Sequence, residues 1–246
     1  MKFSLVTADW PVPDNVIAGT TLRSGGVSHG EFDSLNLATH VGDDLASVRE
    51  NRRRFQTHCG LPKEPVWLKQ VHGTRVALVN SMLTKPEADA MVTCKADVVC
   101  AILTADCLPI LMTTEDGNEI AAAHAGWRGL CTGILEETIS AFEASPEQIL
   151  VWMGPAISKR AFEVGTEVRE QFVNKIAAAA DFFTANDKGC WQADLYGLAA
   201  LHLDKAGVTQ VFGGECCTYT EQDRFFSYRR DGRCGRMATY IFRRGE

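Results

Sequence analysis

No two cysteines of the 246-residue chain are spaced Cys-x-x-Cys, and no two of its six histidines are close neighbours. That excludes zinc fingers and ribbons, which need paired ligands at short spacing. No apolar run approaches the ~20 residues required to cross a bilayer, so no membrane partner is expected. The chain contains neither a Walker loop nor a Gly-x-Gly-x-x-Gly fingerprint, which removes the commonest phosphate-cradling loops. It has no Pro/Ser-rich linker, charge block, low-complexity stretch or internal repeat to mark a domain boundary. Since one α/β domain can reach ~250 residues, a single domain over 1–246 is the expectation. Positive charge is also short: the formal net charge is -6, and nucleic acid is not an expected partner. Met1-Lys2-Phe3-Ser4-Leu5-Val6 lacks the apolar core and cleavage site of an export signal. A cytoplasmic location is therefore expected, with the nine cysteines kept as reduced thiols. Cys59, Cys94, Cys100, Cys131 and Cys190 sit among apolar or loop residues and read as small core hydrophobes.

Hydrophobic residues make up 46% and charged residues 23%, which suits an ordinary globular protein. Short apolar runs predict strands at 76–80, 98–103, 108–112, 120–123, 149–153, 211–213 and 239–242. Helical spacing is found over 44–59, where Leu45, Val48, Arg52 and Phe55 recur on one face, and over 130–142, ending before Pro146. Two more helices are expected over 164–180 and 194–206. The elements mix without strict βα alternation, so the fold class is α/β or α+β, with mixed sheets and flanking helices.

Polar residues able to bind metal stand at the ends of apolar runs. His72 closes Trp67-Leu68-Lys69-Gln70-Val71-His72-Gly73, and Asp106 with Cys107 interrupts Leu103-Thr104-Ala105-Asp106-Cys107-Leu108-Pro109. His124 ends an alanine run in Ala121-Ala122-Ala123-His124-Ala125-Gly126-Trp127-Arg128-Gly129. Small neighbours let backbones approach closely, as a crowded site requires. A His/Cys/His set matches the three protein ligands of an open catalytic zinc site. A lone strand-end histidine ordinarily serves hydrogen bonding and a lone cysteine packing, so on residues alone both readings stay open. His40, near Asp43, is within reach of the same cleft.

Three further segments carry charge. Arg23-Ser24-Gly25-Gly26 is either a plain loop or a turn whose N–H groups face an anion. Arg52-Arg53-Arg54 reads as a solvated helix face. Phe225-Phe226-Ser227-Tyr228-Arg229-Arg230 reads either as an edge strand with solvated arginines or as a stacking surface for a base or phosphate.

Taken together, these segments resemble the YfiH or laccase-domain family, also called multicopper polyphenol oxidases or purine nucleoside phosphorylases. The matching motifs also include Gly42-Asp43-Asp44, Glu50-Asn51-Arg52, Gly154-Pro155-Ala156-Ile157, Phe162-Glu163-Val164-Gly165 and Gly235-Arg236-Met237-Ala238. Cys234 departs from the pattern, which has threonine before the Gly-Arg pair. The resemblance implies a compact single-domain fold and a Zn2+ site held by His72, Cys107 and His124, with copper a less favoured ion. It implies phosphorolysis of adenosine, inosine, guanosine and S-methyl-5′-thioadenosine, and deamination of adenosine, by a monomer acting on nucleosides and phosphate. Asp106 would be a proton-transfer or supporting group beside the three ligands. By residue chemistry, Arg23, Asn36, Arg52, Gln70 and Arg229 are candidates to bind substrate or phosphate. A peptidoglycan-precursor editing hydrolase, a copper-dependent polyphenol oxidase and a closed structural zinc site are the alternatives. Laccase chemistry needs several coppers, and six histidines are too few to hold them.

Overall fold

The computed structural model describes residues 3–79 and 85–245. Along the chain come strands β1 (Leu5–Thr7) and β2 (Val16–Thr21), helix α1 (Leu45–His58), and strands β3 (Val66–Trp67), β4 (Val76–Leu78), β5 (Ala90–Thr93), β6 (Cys100–Thr104), β7 (Leu108–Thr114) and β8 (Ile120–Ala125). Helices α2 (Trp127–Thr132) and α3 (Ile134–Ser140) follow, then β9 (Ile149–Met153), β10 (Glu163–Val164), α4 (Thr166–Lys175), β11 (Phe183–Ala185) and β12 (Trp191–Ala193). The last elements are α5 (Leu195–Lys205), β13 (Gln210–Gly213), α6 (Tyr228–Asp231) and β14 (Met237–Arg243).

The strands form a five-stranded sheet, order β1-β2-β14-β6-β3, and a six-stranded sheet, order β13-β9-β7-β8-β5-β4. A small antiparallel sheet, β10-β12-β11, stands apart. Parallel pairs occur at β3/β6, β4/β5 and β9/β13, so both large sheets are mixed, as expected.

Side-chain alternation with period two sorts the core into layers. Cys100, Ile102 and Ile241 of the smaller sheet pack with Leu111, Ala122 and Trp152 of the larger. From the same strands, Ala101, Leu103, Tyr240 and Phe242 turn the other way onto Phe55 of α1. Ile110, Met112, Ala121, Ala123 and Val151 turn outward from the larger sheet onto Leu130, Ile134, Leu135, Leu198 and Leu203. The result is helix, sheet, sheet, helices. Because β6, β7, β8 and β9 are buried throughout, they read in sequence as continuous apolar runs.

Several expectations change. The helix expected over 130–142 is two helices, because Gly133 adopts φ 113° and breaks the ladder. The helix expected over 164–180 survives only as α4: Glu163 and Val164 pair with β12, and Ile176 is extended before a 3-10 turn over Ala177–Phe182. The strand expected over 76–80 ends at Leu78, and Asn80 lies outside the described residues. Residues 225–231 are not an edge strand: Phe225 and Phe226 are fully buried, and α6 follows with Ser227 accepting from the Arg230 N–H. Arg52 is not simply solvated, since its guanidinium lies 4.1 Å over the Trp67 ring. All nine cysteines are free, but Cys94 is exposed rather than packed. No described helix is long and apolar enough to cross a membrane.

Candidate metal centre

Where the two large sheets meet, the chain passes from β6 of one to β7 of the other through only Ala105, Asp106 and Cys107. Asp106 makes this crossing with φ 94°, a conformation that costs a non-glycine residue free energy. Three bonds hold it there. Its carboxylate accepts from the Thr218 hydroxyl at 2.6 Å and the Arg229 N–H at 2.7 Å, and its carbonyl accepts from the Ile157 N–H at 3.0 Å. Asp106 thus anchors the turn that presents Cys107.

His72 comes from the loop after β3 and His124 from the end of β8. The ligand atoms of His72, Cys107 and His124 all lie within 4.8 Å of one another, and His72 Nε2 is 3.8 Å from Cys107 Sγ. The two imidazoles meet edge to face with centroids 4.7 Å apart. Tetrahedral bonds of ~2.0–2.3 Å would separate a nitrogen and a sulfur ligand by about 3.6 Å, so this spacing fits one shared ion. Among the described residues this is the one group of three or more His, Cys, Asp or Glu side chains so placed.

Asp89, absent from the sequence reading, organises the group. It is fully buried, and its carboxylate accepts from the backbone N–H groups of Val71, His72 and Gly73 at 2.8–3.2 Å. The same carboxylate bonds His124 Nδ1 at 2.8 Å, which leaves His124 Nε2 free for an ion. Burial would push the Asp89 carboxyl up, but the bonds from His124, Gly73 and Val71 hold it below the ordinary carboxylate value. Burial would likewise raise the Cys107 thiol, yet the charge and hydrogen bonds of His124 and His72 bring it down to about 6. His124 shows the reciprocal effect: desolvation opposes its charge, but Cys107 and Asp89 raise it to about 9. A thiolate ligand is therefore available at neutral pH.

Glycine makes room for the group. A Cβ on Gly126 would lie 3.0 Å from His72 Cδ2 and 3.2 Å from Cys107 Sγ, and one on Gly129 would lie 2.9 Å from the Gly73 carbonyl oxygen. These contacts explain the small residues around His124 in the sequence.

The three residues open onto a cleft of about 370 Å³, whose lining includes His40, Gln70, Thr104, Tyr228 and Arg236. His72 also borders a more open groove with Trp127, Arg128 and Gln171. Of the binding candidates, Gln70 lines the cleft, and its amide exchanges two hydrogen bonds with the Leu103 backbone, both at 2.9 Å. The others bond within the protein and do not line that cleft. The Arg23 guanidinium donates to the Asp33 and Gln222 carbonyls and lies over Phe226. Asn36 is buried against Ala38 and Asp43, and Arg52 donates to the Leu37 carbonyl. Arg229 donates to the Glu163 carbonyl. The Gly26 and Val27 N–H groups are answered by Ser34 and Asn51, not left facing an anion.

Residues 17–244 match the family described as multi-copper polyphenol oxidoreductase laccase. The chain is 52% identical over 240 residues to "Purine nucleoside phosphorylase YfiH" of Escherichia coli, covering 97% of this chain and 98% of that protein. It is 47% identical over 242 residues to "Purine nucleoside phosphorylase" of Haemophilus influenzae, covering 96% and 98%. The crystal structure of Neisseria meningitidis protein NMB0706 superposes with a TM-score of 0.94 at 48% identity, covering 98% of this chain and 99% of that one. YlmD from Geobacillus stearothermophilus superposes with a TM-score of 0.89 at 32% identity, covering 96% and 94%.

Proposed function

The chain belongs to the multi-copper polyphenol oxidoreductase laccase family, and we propose that within it this protein is a zinc-dependent purine nucleoside phosphorylase. One observation supports the reading: the ligand-capable atoms of His72, Cys107 and His124 lie within 4.8 Å of one another beside a cleft large enough for a small molecule. The names of the relatives then supply the reaction class. Adenosine, inosine, guanosine and S-methyl-5′-thioadenosine are the proposed nucleosides, with adenosine deamination as a second activity and the cytoplasm as the location.

The residues suit zinc because two imidazoles and one thiolate form a three-ligand set with an open side. When bound, zinc supplies Lewis-acid charge to an oxygen of the reacting molecules. Asp89 fixes the tautomer and orientation of His124 while holding the His72 loop by its N–H groups. Tyr228, 59% exposed and lining the cleft, has the Arg236 guanidinium 5.7 Å from its ring centre and would offer its other face to a purine. Gln70 ties the His72 loop to β6, so the two ligand-bearing segments keep their distance. A multi-copper oxidase reading finds one three-residue group among the described residues, not several.

A nucleoside panel run with and without phosphate tests this. Wild type is expected to convert inosine plus phosphate to hypoxanthine and ribose 1-phosphate, and His72→Ala to lose that conversion by at least ~100-fold. Equal conversion by the two proteins would refute the proposal.

A further inference from the structure

The lining of the cleft beside His72, Cys107 and His124 contains no aspartate or glutamate, yet it contains Arg236. Arg236 is half-buried, and its Nη1 donates to the carbonyls of Cys234 at 2.8 Å and Gly235 at 3.0 Å. Its Nη1 also lies 3.5 Å from Cys234 Sγ, and the guanidinium lies 5.7 Å from the centre of the Tyr228 ring. Among the described residues, its Nε and Nη2 have no hydrogen-bond partner and no carboxylate lies within ion-pair distance. Arg52, Arg54, Arg230 and Arg233 each face a carboxylate, whereas Arg23 and Arg229, like Arg236, donate to carbonyls, but neither of them lines this cleft. These donors are not buried, so they are open to an anion entering the cleft.

A second observation is independent of charge. Thr104 lies directly across the sheet from Met237, the residue after Arg236, and lines the same cleft. It is 2% exposed, and its hydroxyl has no partner among the described residues. Buried hydroxyls are nearly always bonded, and this one belongs to a residue of the cleft lining with its donor unused by the protein. His40 completes the lining on that side. Burial and then the charges of Arg236, Lys85 and Arg52 hold its imidazole below the ordinary histidine value, which shows how positive this region is.

We propose that Arg236, His40 and the Thr104 hydroxyl form an oxyanion subsite that takes inorganic phosphate. The guanidinium edge is suited to two oxygens of a tetrahedral anion, and the hydroxyl and imidazole supply further donors. The assignment to phosphate rests on the phosphorylase reading above. In that reaction a phosphate oxygen bonds to the ribose C1′ as the C1′–N9 bond breaks. The bonding pair leaves with the purine, which gains the proton that hydrogen phosphate gives up.

The test is calorimetric titration of inorganic phosphate into zinc-loaded wild type, Arg236→Met, Arg236→Lys and Thr104→Val, with metal content and the KM for phosphate and for inosine. Arg236→Met is expected to weaken phosphate binding and raise its KM at least ~10-fold, with Arg236→Lys intermediate. Thr104→Val is expected to weaken phosphate ~3-fold. Metal content and the KM for inosine should stay within about twofold of wild type in each variant. Unchanged phosphate affinity in Arg236→Met overturns the proposal, as does a wild type that binds no phosphate. Should Arg236→Met fail to fold on losing its two carbonyl contacts, unchanged affinity in both Arg236→Lys and Thr104→Val overturns it. Wild type that binds phosphate but releases no hypoxanthine supports the subsite and removes the phosphorylase reading. Hypoxanthine release by Arg236→Met with an unchanged KM for phosphate does the reverse.

Discussion

Asp89 shows how much one residue can organise without touching the cleft. Four donors converge on its buried carboxylate: three backbone N–H groups of the His72 loop and the ring of His124. One side chain therefore sets both histidines at once. Asp89→Asn replaces one acceptor oxygen with an NH2 that faces N–H donors, so at least one bond becomes a repulsive contact. The expected cost is on the order of 3 kcal/mol of stability, with a 10–100-fold loss of metal affinity by order of magnitude. Competition with a chelator of known affinity, run beside thermal unfolding, measures both. Wild-type affinity in a folded Asp89→Asn would contradict the role given to it. Nothing local in Glu87-Ala88-Asp89-Ala90 signals this role. It depends on a loop eighteen residues earlier folding onto the strand, which spacing alone does not reveal.

At the scale of elements, α3 and α5 cover the helix-facing side of the larger sheet and are joined by Glu136 and His202. His202 Nδ1 lies 2.6 Å from Glu136 Oε1. Burial would push the Glu136 carboxyl up, but the hydrogen bond from His202, with Lys175 nearby, holds it below its ordinary value of 4.5. A lowered folded value means the carboxylate form is the stabilising one. Its contribution is fully present above the ordinary glutamate range and is lost as pH falls through the lowered value. Glu136→Gln should therefore unfold at lower temperature than wild type at pH 7, and the gap should close below about pH 4. The effect should stay under ~1 kcal/mol, because the carboxylate is 40% exposed and solvent screens the pair. Thermal midpoints of both proteins across pH 3–8 give the comparison, and a gap that widens on acidification would contradict the assignment.

The long strands and the helices α1 and α5 were legible in the sequence because burial on both faces, or on one face at helical spacing, leaves a pattern. Strands of two or three residues such as β3, β10 and β11 left none, since pairing rather than composition defines them. His72, Cys107 and His124 were legible through their small neighbours, which the close approach of Gly126 and Gly129 explains. Arg23, Asn36 and Arg52 show the opposite limit. Their chemistry suits a ligand, but their hydrogen bonds are taken up by carbonyls and side chains of the protein itself. Residue type is visible in a sequence; the partner it spends its donors on is not. Thr104 and Arg236 stand out only once the fold brings them to one cleft, Thr104 with its hydroxyl unpartnered.

At the scale of the whole molecule, the described residues bring one His/Cys/His group together where the two large sheets meet, and the proposed function requires one ion there for turnover. Titration of metal-free protein with zinc, followed by phosphate-dependent release of hypoxanthine from inosine, tests that most directly. Activity should rise linearly and saturate at one zinc per chain. Full activity without metal, or restoration only by several copper ions, would contradict it.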